Sequence, residues 1–165
     1  MKKYYIKNSS IHGSGAFATK KIRKGERIGE YIGKKISKKD SDKIGIAQQK
    51  KAKKTNEGAV YIFELNDEFD LDGNVPENDA RLINHSCNPN CEAVNEDDHI
   101  VFVALKTIET DEEIVYNYGY DFQHFLEHPC RCGSANCCGY IIAELDRPKL
   151  MKLLKNKRKK SVKIL

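Results

Sequence analysis

Between Arg81 and Cys91 the chain reads Arg-Leu-Ile-Asn-His-Ser-Cys-Asn-Pro-Asn-Cys, and no other stretch restricts what it can fold into so strongly. A short apolar step, Leu82-Ile83, leads into amide, imidazole, hydroxyl and thiol groups at a density an ordinary surface loop does not need. Proline fixes its own φ and pushes the residue before it out of the helical region, so Asn88-Pro89 marks a turn. Asn84, His85 and Cys87 therefore fall where the backbone bends and several side chains can converge. A capped turn with two buried cysteines is the plainer reading of the same residues; the rest of the chain weighs against it.

Four of the six cysteines lie between Cys130 and Cys138. In a chain with no secretion signal, such clustering points to metal ligation rather than to a disulfide framework. Zinc takes four soft or borderline ligands in a tetrahedron, so Cys130, Cys132 and Cys137 leave one position to be filled from elsewhere. Cys87 or Cys91 is the obvious donor.

At 165 residues the chain has the length of one domain with a real core. The positively charged start, Met-Lys-Lys-Tyr-Tyr-Ile-Lys-Asn, is followed by no continuous apolar segment, and no run reaches the roughly 18 residues of a membrane span, so a soluble protein without membrane contact is expected. The net charge of +5 conceals a segregation. Residues 1–54 carry 17 Lys+Arg against 4 Asp+Glu, residues 55–129 carry 2 against 18, and residues 130–165 carry 10 against 2. An acidic middle suits a cationic substrate, and the basic ends suit nucleic acid or an acidic partner, although solvated faces would have the same composition.

Periodicity predicts a mostly β chain (β+α) of many short strands. Tyr4-Tyr5-Ile6 reads as a first strand, Gly13-Ser14-Gly15 as a tight turn before an apolar strand, and Ile28 to Ile32 as a half-buried strand. From Ser37 to Lys54 the composition turns to lysine, predicting an inserted, exposed helix capped by Ser37 or Asp40, with a narrow stripe of Ile44, Ile46 and Ala47, ended by Gly58. Val60 to Leu65 and Glu68 to Gly73 alternate as strands, and Ile100 to Leu105 is an apolar run that should be buried on both faces. A final strand from Ile114 to Phe122 would put the aromatics at 116, 118, 120 and 122 on one side. The tail shows a weak helical pattern at Leu150, Leu153 and Leu154 before the basic run Lys155 to Lys160.

Taken in order, several separated motifs agree with one family. His12-Gly-Ser-Gly15, Glu30-Tyr31-Ile32-Gly33, Val60 to Leu65, Arg81 to Cys91, Glu112-Glu113-Ile-Val-Tyr-Asn-Tyr-Gly119 and Cys130-x-Cys132-x4-Cys137 cover residues 10 to 141, and the chain resembles a SET-domain protein lysine methyltransferase with a post-SET zinc segment. The resemblance implies a SET fold of several small sheets with an inserted helix and a pseudoknot, in which the C-terminal segment passes the Asn-His-Ser-Cys stretch. It implies a SET domain over 1–122 with the inserted basic region at about 37–54, a post-SET zinc segment over 123–143 and a basic tail over 144–165. S-adenosylmethionine would be held by His12, Gly13, Ser14, Gly15, Tyr61, Arg81, Asn84 and His85, with Phe122 walling the adenine or the lysine channel. Tyr118 would be the catalytic tyrosine, with Tyr31 and Tyr116 lining the channel. Cys87, Cys130, Cys132 and Cys137 would bind one structural zinc, leaving Cys91 as a small buried residue and Cys138 unassigned. Leu82 in place of a phenylalanine, Lys34 in place of an acid, and Glu77 before Asn78 depart from the family pattern.

The implied activity is transfer of methyl groups from S-adenosylmethionine to a lysine of a basic protein or peptide, a histone tail being one candidate, mainly to the monomethyl stage. Nucleic-acid contact through the basic ends, a monomeric state, and a cytoplasmic location in the producing cell are further expectations. In a delivered effector, Lys155 to Lys160 would be an address to the host nucleus. Two other classes fit parts of the chain: a methyl-donor-binding pseudoenzyme, and a zinc-bearing module that binds nucleic acid or chromatin. The presence of Tyr118 together with the whole Asn-His-Ser-Cys set argues against the first, and the acidic middle argues against the second.

Overall fold

The computed structural model describes residues 2–55 and 60–162. Gly58, expected to end the inserted helix, the last three residues, and the side chains of the basic run beyond 156 lie outside the described residues. The described residues form β1 (Tyr4–Asn8), β2 (Ser14–Ala18), β3 (Arg27–Tyr31), β4 (Lys34–Ser37), α1 (Lys38–Thr55), β5 (Ile62–Glu64), β6 (Phe69–Asp72), β7 (Asn84–His85), β8 (Cys91–Glu96), β9 (His99–Ala104), β10 (Glu113–Tyr116) and α2 (Arg147–Val162), with short 3-10 turns between them. The mostly β reading therefore holds. Two compact units emerge: Met1–Asn84 with Asn90–Ile114, and His85–Pro89 with Val115–Leu165.

The first unit contains three small sheets. β9 is the centre of one, with β3 and β8 antiparallel on its two sides. A strand covered on both faces needs a continuous apolar run instead of alternation, and Ile100, Val101, Phe102 and Ala104 are each at most 2 % exposed, although Val103 is only half-buried and Leu105, just past the strand's end, is 36 % exposed. Asp97 and Asp98, with φ of 51° and 66°, form the two-residue hairpin turn between β8 and β9. Such a turn needs positive φ at both positions, and short polar side chains tolerate it. In a second sheet β2 pairs with β1, and on its other side Phe17 and Ala16 face Glu113 and Ile114 of β10. The third has β6 between β4 and β5.

α1 begins where expected. The Ser37 hydroxyl accepts the Asp40 amide at 3.2 Å and donates to the Asp40 carboxylate at 2.9 Å, so Ser37 is the cap. The expected apolar stripe is not realised: Ile44 is half-buried, but Ile46, 54 % exposed, and Ala47 face solvent. The helix is held instead by Gln48, whose side chain donates to Asp72 Oδ1 and accepts from the Tyr61 amide at 2.9 Å. A polar residue in the middle of a lysine-rich helix gave no periodic signal of this.

β10 stops at Tyr116, six residues short of the expected end at Phe122. Asn117 turns its side chain back to accept the Gly119 amide at 3.1 Å, and Gly119 takes φ 66°. An Asx turn of this kind competes with a ladder and ends it.

In the second unit Phe125, Ile142 and Leu150 form the buried core, with Phe122, Tyr140, Leu153 and Leu154 packed against it. The weak leucine pattern in the tail thus marks a helix with one buried stripe. The cysteine-rich segment is closed at its base by Cys130 N–H donating to Gly139 O and Ile141 N–H donating to His128 O, at 2.9 and 2.8 Å. Among the described residues no helix is long and apolar enough to cross a membrane.

Candidate functional site

In the first unit the segment before β2 is drawn into a tight turn: the Ser9 amide donates to Gly13 O at 2.8 Å, the Ile11 amide donates to Ser9 Oγ at 2.9 Å, and Gly13 has φ 48°. Asn84, 7 % exposed, reaches this turn through its side-chain nitrogen, which lies 2.8 Å from Glu113 Oε1, 3.1 Å from Ser14 O and 3.3 Å from His12 O. The Ser9 hydroxyl donates to the same Glu113 oxygen at 2.7 Å. A Cβ added at Gly15 would lie 2.3 Å from Glu113 Oε1, so only glycine leaves room for that carboxylate. Two carbonyl oxygens and a carboxylate oxygen thus converge on one donor. Such a set of acceptors fits a cationic ammonium group of the kind S-adenosylmethionine carries. Ser9 and Glu113 were not among the residues expected from sequence; Glu113 stood in a recognised motif, but nothing local connects it with Asn84.

Tyr31, Tyr61 and Arg81 also belong to the first unit. The Tyr31 ring is 2 % exposed, packs edge-on against Phe63 at 4.7 Å, and donates its hydroxyl to Tyr61 O at 3.1 Å. Burial, followed by nearby Tyr61 and Asp72, pushes its phenol pKa well up, so it is a neutral donor. Arg81 donates from Nη1 to Asn78 O and Val75 O at 2.7 and 3.2 Å, bracing the turn ahead of Asn84. Asn78, 1 % exposed and given no role from the sequence, links Gly73 O to the Ile32 amide through its side chain.

His85, Tyr116, Tyr118 and Phe122 belong to the second unit. Ser86 N–H donates to Tyr116 O at 3.0 Å, setting Ser86 beside Tyr116. The Tyr118 amide donates to His85 Nδ1 at 3.2 Å. The Tyr118 ring lies 4.8 Å from Tyr116, 5.3 Å from His85 and 5.8 Å from Tyr120. The aromatics thus meet although the strand does not persist. Burial, and then the charge of Arg147, lower the His85 pKa to about 4. Phe122 packs against Phe125 at 5.4 Å with the Lys149 ammonium 4.0 Å above its ring, so it belongs to the apolar core of this unit.

The four cysteines expected as ligands come together. The sulfurs of Cys87, Cys130, Cys132 and Cys137 all lie within 4.8 Å of one another, with Cys87 and Cys130 at 3.8 Å. A tetrahedral zinc with metal–sulfur distances of about 2.3 Å would set its ligand sulfurs about 3.8 Å apart, so the residues fit the ion. Hydrogen bonds are already directed at the sulfurs: Cys87 N–H to Cys132 Sγ and Gly139 N–H to Cys137 Sγ, both at 3.4 Å. Burial pushes the Cys87 thiol up to about 12 and raises Cys130 further. At Cys132 burial is outweighed by the Cys87 amide and by Ser134, which bring it down to about 6. Neighbouring thiolates repel one another, a penalty that a bound divalent cation reverses. Cys91, 1 % exposed, stays apart in the first unit, and Cys138 lies with its sulfur 3.2 Å from Tyr140 O.

Arg147 at the start of α2 was not foreseen. Its Nη1 donates to Cys87 O at 2.7 Å, beside Asn136 Nδ2 at 3.1 Å, so the carbonyl of one ligand cysteine is held from two directions. Its buried Nε and Nη2 have no hydrogen-bond acceptor among the described residues.

Comparison with known proteins agrees with this arrangement. Three relatives each match across 81 % of this chain: histone-lysine N-methyltransferase 2D of Homo sapiens, 35 % identical over 140 residues; histone-lysine N-methyltransferase trithorax of Drosophila virilis, 36 % over 137; and histone-lysine N-methyltransferase, H3 lysine-4 specific, of Emericella nidulans, 35 % over 139. The matched part is 2, 3 and 11 % of those proteins. The SET domain model aligns with residues 13–119, from the glycine turn through Asn84 and His85 to the residue after Tyr118, and over that span, more than half its length, the chain belongs to the SET-domain family.

Proposed function

We propose that the chain is a protein-lysine N-methyltransferase that moves a methyl group from S-adenosylmethionine to a lysine of a basic protein, a histone foremost. The family match carries this reading, because the residues on which the chemistry depends, Asn84, His85, Tyr116 and Tyr118, all fall inside it or at its end. The names of the relatives support it. When bound, S-adenosylmethionine supplies an electrophilic methyl group on a cationic sulfonium. The backbone of His12, Gly13, Ser14 and Gly15, with Asn84, Tyr61 and Arg81, would hold it. Zinc would be structural, held by the four cysteines and taking no part in the reaction.

The acceptor is a lysine amine, nucleophilic only when deprotonated, against an unperturbed pKa of about 10.4. An aromatic surrounding disfavours the ammonium by desolvation, and a nearby sulfonium repels it, so both lower that pKa. With the donor bound, the deprotonated amine, its proton already given to water, would attack the methyl carbon as the carbon–sulfur bond breaks, and the methylated nitrogen would take over the positive charge that sulfur loses. No covalent enzyme intermediate is needed; the task of Tyr118 and Tyr116 would be to orient the amine. Incubation with labelled methyl donor, histones and a basic protein extract, followed by mass spectrometry of the labelled lysines, tests the reading. Cofactor binding without any labelled lysine would overturn it.

Two further results are expected. Asn84→Ala removes the donor shared by Glu113, Ser14 and His12 and leaves a carboxylate short of a partner, a loss of about 1–3 kcal/mol. Calorimetry should show cofactor affinity falling about tenfold or more, and unchanged affinity would remove Asn84 from the site. The second concerns product. The Tyr116 hydroxyl would hold the amine or a water and limit rotation of an already methylated nitrogen, stopping the reaction mainly at monomethyl-lysine. Tyr116→Phe is expected to shift product toward di- and trimethyl-lysine in long incubations. Abundant trimethyl-lysine from the unmodified enzyme would assign that control elsewhere.

A further inference from the structure

The His85 side chain touches two things at once. Its ring, 4 % exposed, receives the Tyr118 amide at Nδ1, 3.2 Å away, and sets Nε2 3.6 Å from Cys87 Sγ. A backbone N–H can donate only to a bare nitrogen, so Nδ1 carries no hydrogen. A ring bare at both nitrogens would be an anion, so the hydrogen is on Nε2 and points at the sulfur. We propose that His85 is a positioning residue that ties the metal centre to the reaction centre: it donates from Nε2 to the metal-bound sulfur of Cys87 and, through the same rigid ring, fixes the backbone of Tyr118.

A hydrogen bond donated to a metal-bound thiolate offsets part of its charge and holds it in one orientation. Because an imidazole is planar and stiff, rotating it to lose one bond loses the other. The neighbouring chain keeps the ring in place: Ser86 N–H is bonded to Tyr116 O, and the carbonyl of Cys87 is held by Arg147 and Asn136. Metal loss would then release Cys87, His85 and the Tyr118 amide together. The inference rests on zinc occupying the four-cysteine cluster and on Tyr118 serving methyl transfer, as proposed above, but it can be tested without any turnover.

The two bonds can be separated by substitution. Asparagine offers an acceptor where Nδ1 lies and no donor at the Nε2 position; glutamine offers a donor near Nε2 and no acceptor at Nδ1. His85→Asn is expected to hold zinc about 10–100-fold more weakly in chelator competition while retaining the Tyr118 amide bond. His85→Gln is expected to hold zinc within a few-fold of the unmodified protein, about as the remaining donor predicts, with kcat reduced and KM little changed. The unmodified zinc-loaded protein provides a measurement that does not depend on either variant folding: nitrogen NMR should find His85 protonated at Nε2, with that proton resonance moving when zinc is exchanged for cadmium. A proton on Nδ1, an Nε2 proton indifferent to the exchange, or equal zinc affinity in His85→Asn and the unmodified protein would overturn the proposal. Failure of methyl transfer alone would count against the proposed activity and leave this link standing.

Discussion

Tyr118→Phe should lower methyl transfer on the order of 10²- to 10³-fold, the range found when one positioned donor is removed from a reaction centre, while S-adenosylmethionine binding changes little. The structure explains why so small a change can be so selective. The Tyr118 amide is held by His85 Nδ1 at 3.2 Å, and its ring is flanked by Tyr116, His85 and Tyr120 at centroid distances of 4.8, 5.3 and 5.8 Å. Phenylalanine can keep that ring packing and that backbone bond, so only the hydroxyl is lost. A fall in kcat with unchanged cofactor affinity is the signature of an interaction made in the transition state alone. Calorimetry with the cofactor and quantitative methyl counting on a histone substrate would separate the two terms, and a fully active Tyr118→Phe enzyme would take the hydroxyl out of the mechanism.

Removing the metal is expected to have a comparably large effect by a different route. One zinc per chain should be found in protein purified without chelator, held with an apparent binding free energy on the order of 10–16 kcal/mol, as in other structural four-ligand sites. Strong chelation, or Cys132→Ser, should abolish methyl transfer and leave most of the β structure in place. The two units explain the difference. The first has its own core, in which Ile28, Phe102 and Ile114 from two of its sheets and Ile22 and Ile108 from an isolated β-bridge are fully buried. In the second the buried apolar core is the small Phe125, Ile142 and Leu150 cluster, and the four cysteines join Cys87 to a segment more than forty residues later. Circular dichroism should therefore change little on chelation while protection in the second unit is lost. Metal analysis that finds no zinc, or full activity in Cys132→Ser, would contradict the assignment.

Much of this was legible from local sequence. The thiol spacing after Cys130 and the density of chemistry around Asn84 depend only on which residues stand near one another in the chain, and the structure brings Cys87 to that thiol group rather than Cys91. The unbroken apolar run at β9 and the leucine pattern of α2 were readable for a similar reason: burial on two faces or on one stripe imposes a period on neighbouring residues.

What tertiary structure alone decided are contacts between residues far apart in sequence, made by single polar side chains that leave no period. Glu113 receives Asn84 and Ser9, Gln48 docks a lysine-rich helix on Tyr61 and Asp72, and Arg147 grips the carbonyl of Cys87. His85 stood out in the sequence as a candidate site residue, but not as a ring held between an amide and a sulfur. A hydrogen bond is set by distance and direction to a few tenths of an ångström and a few tens of degrees, and those quantities exist only after the chain has folded. Residue type and spacing determined which chemistry this protein can perform; the folded backbone decided which atoms meet to perform it.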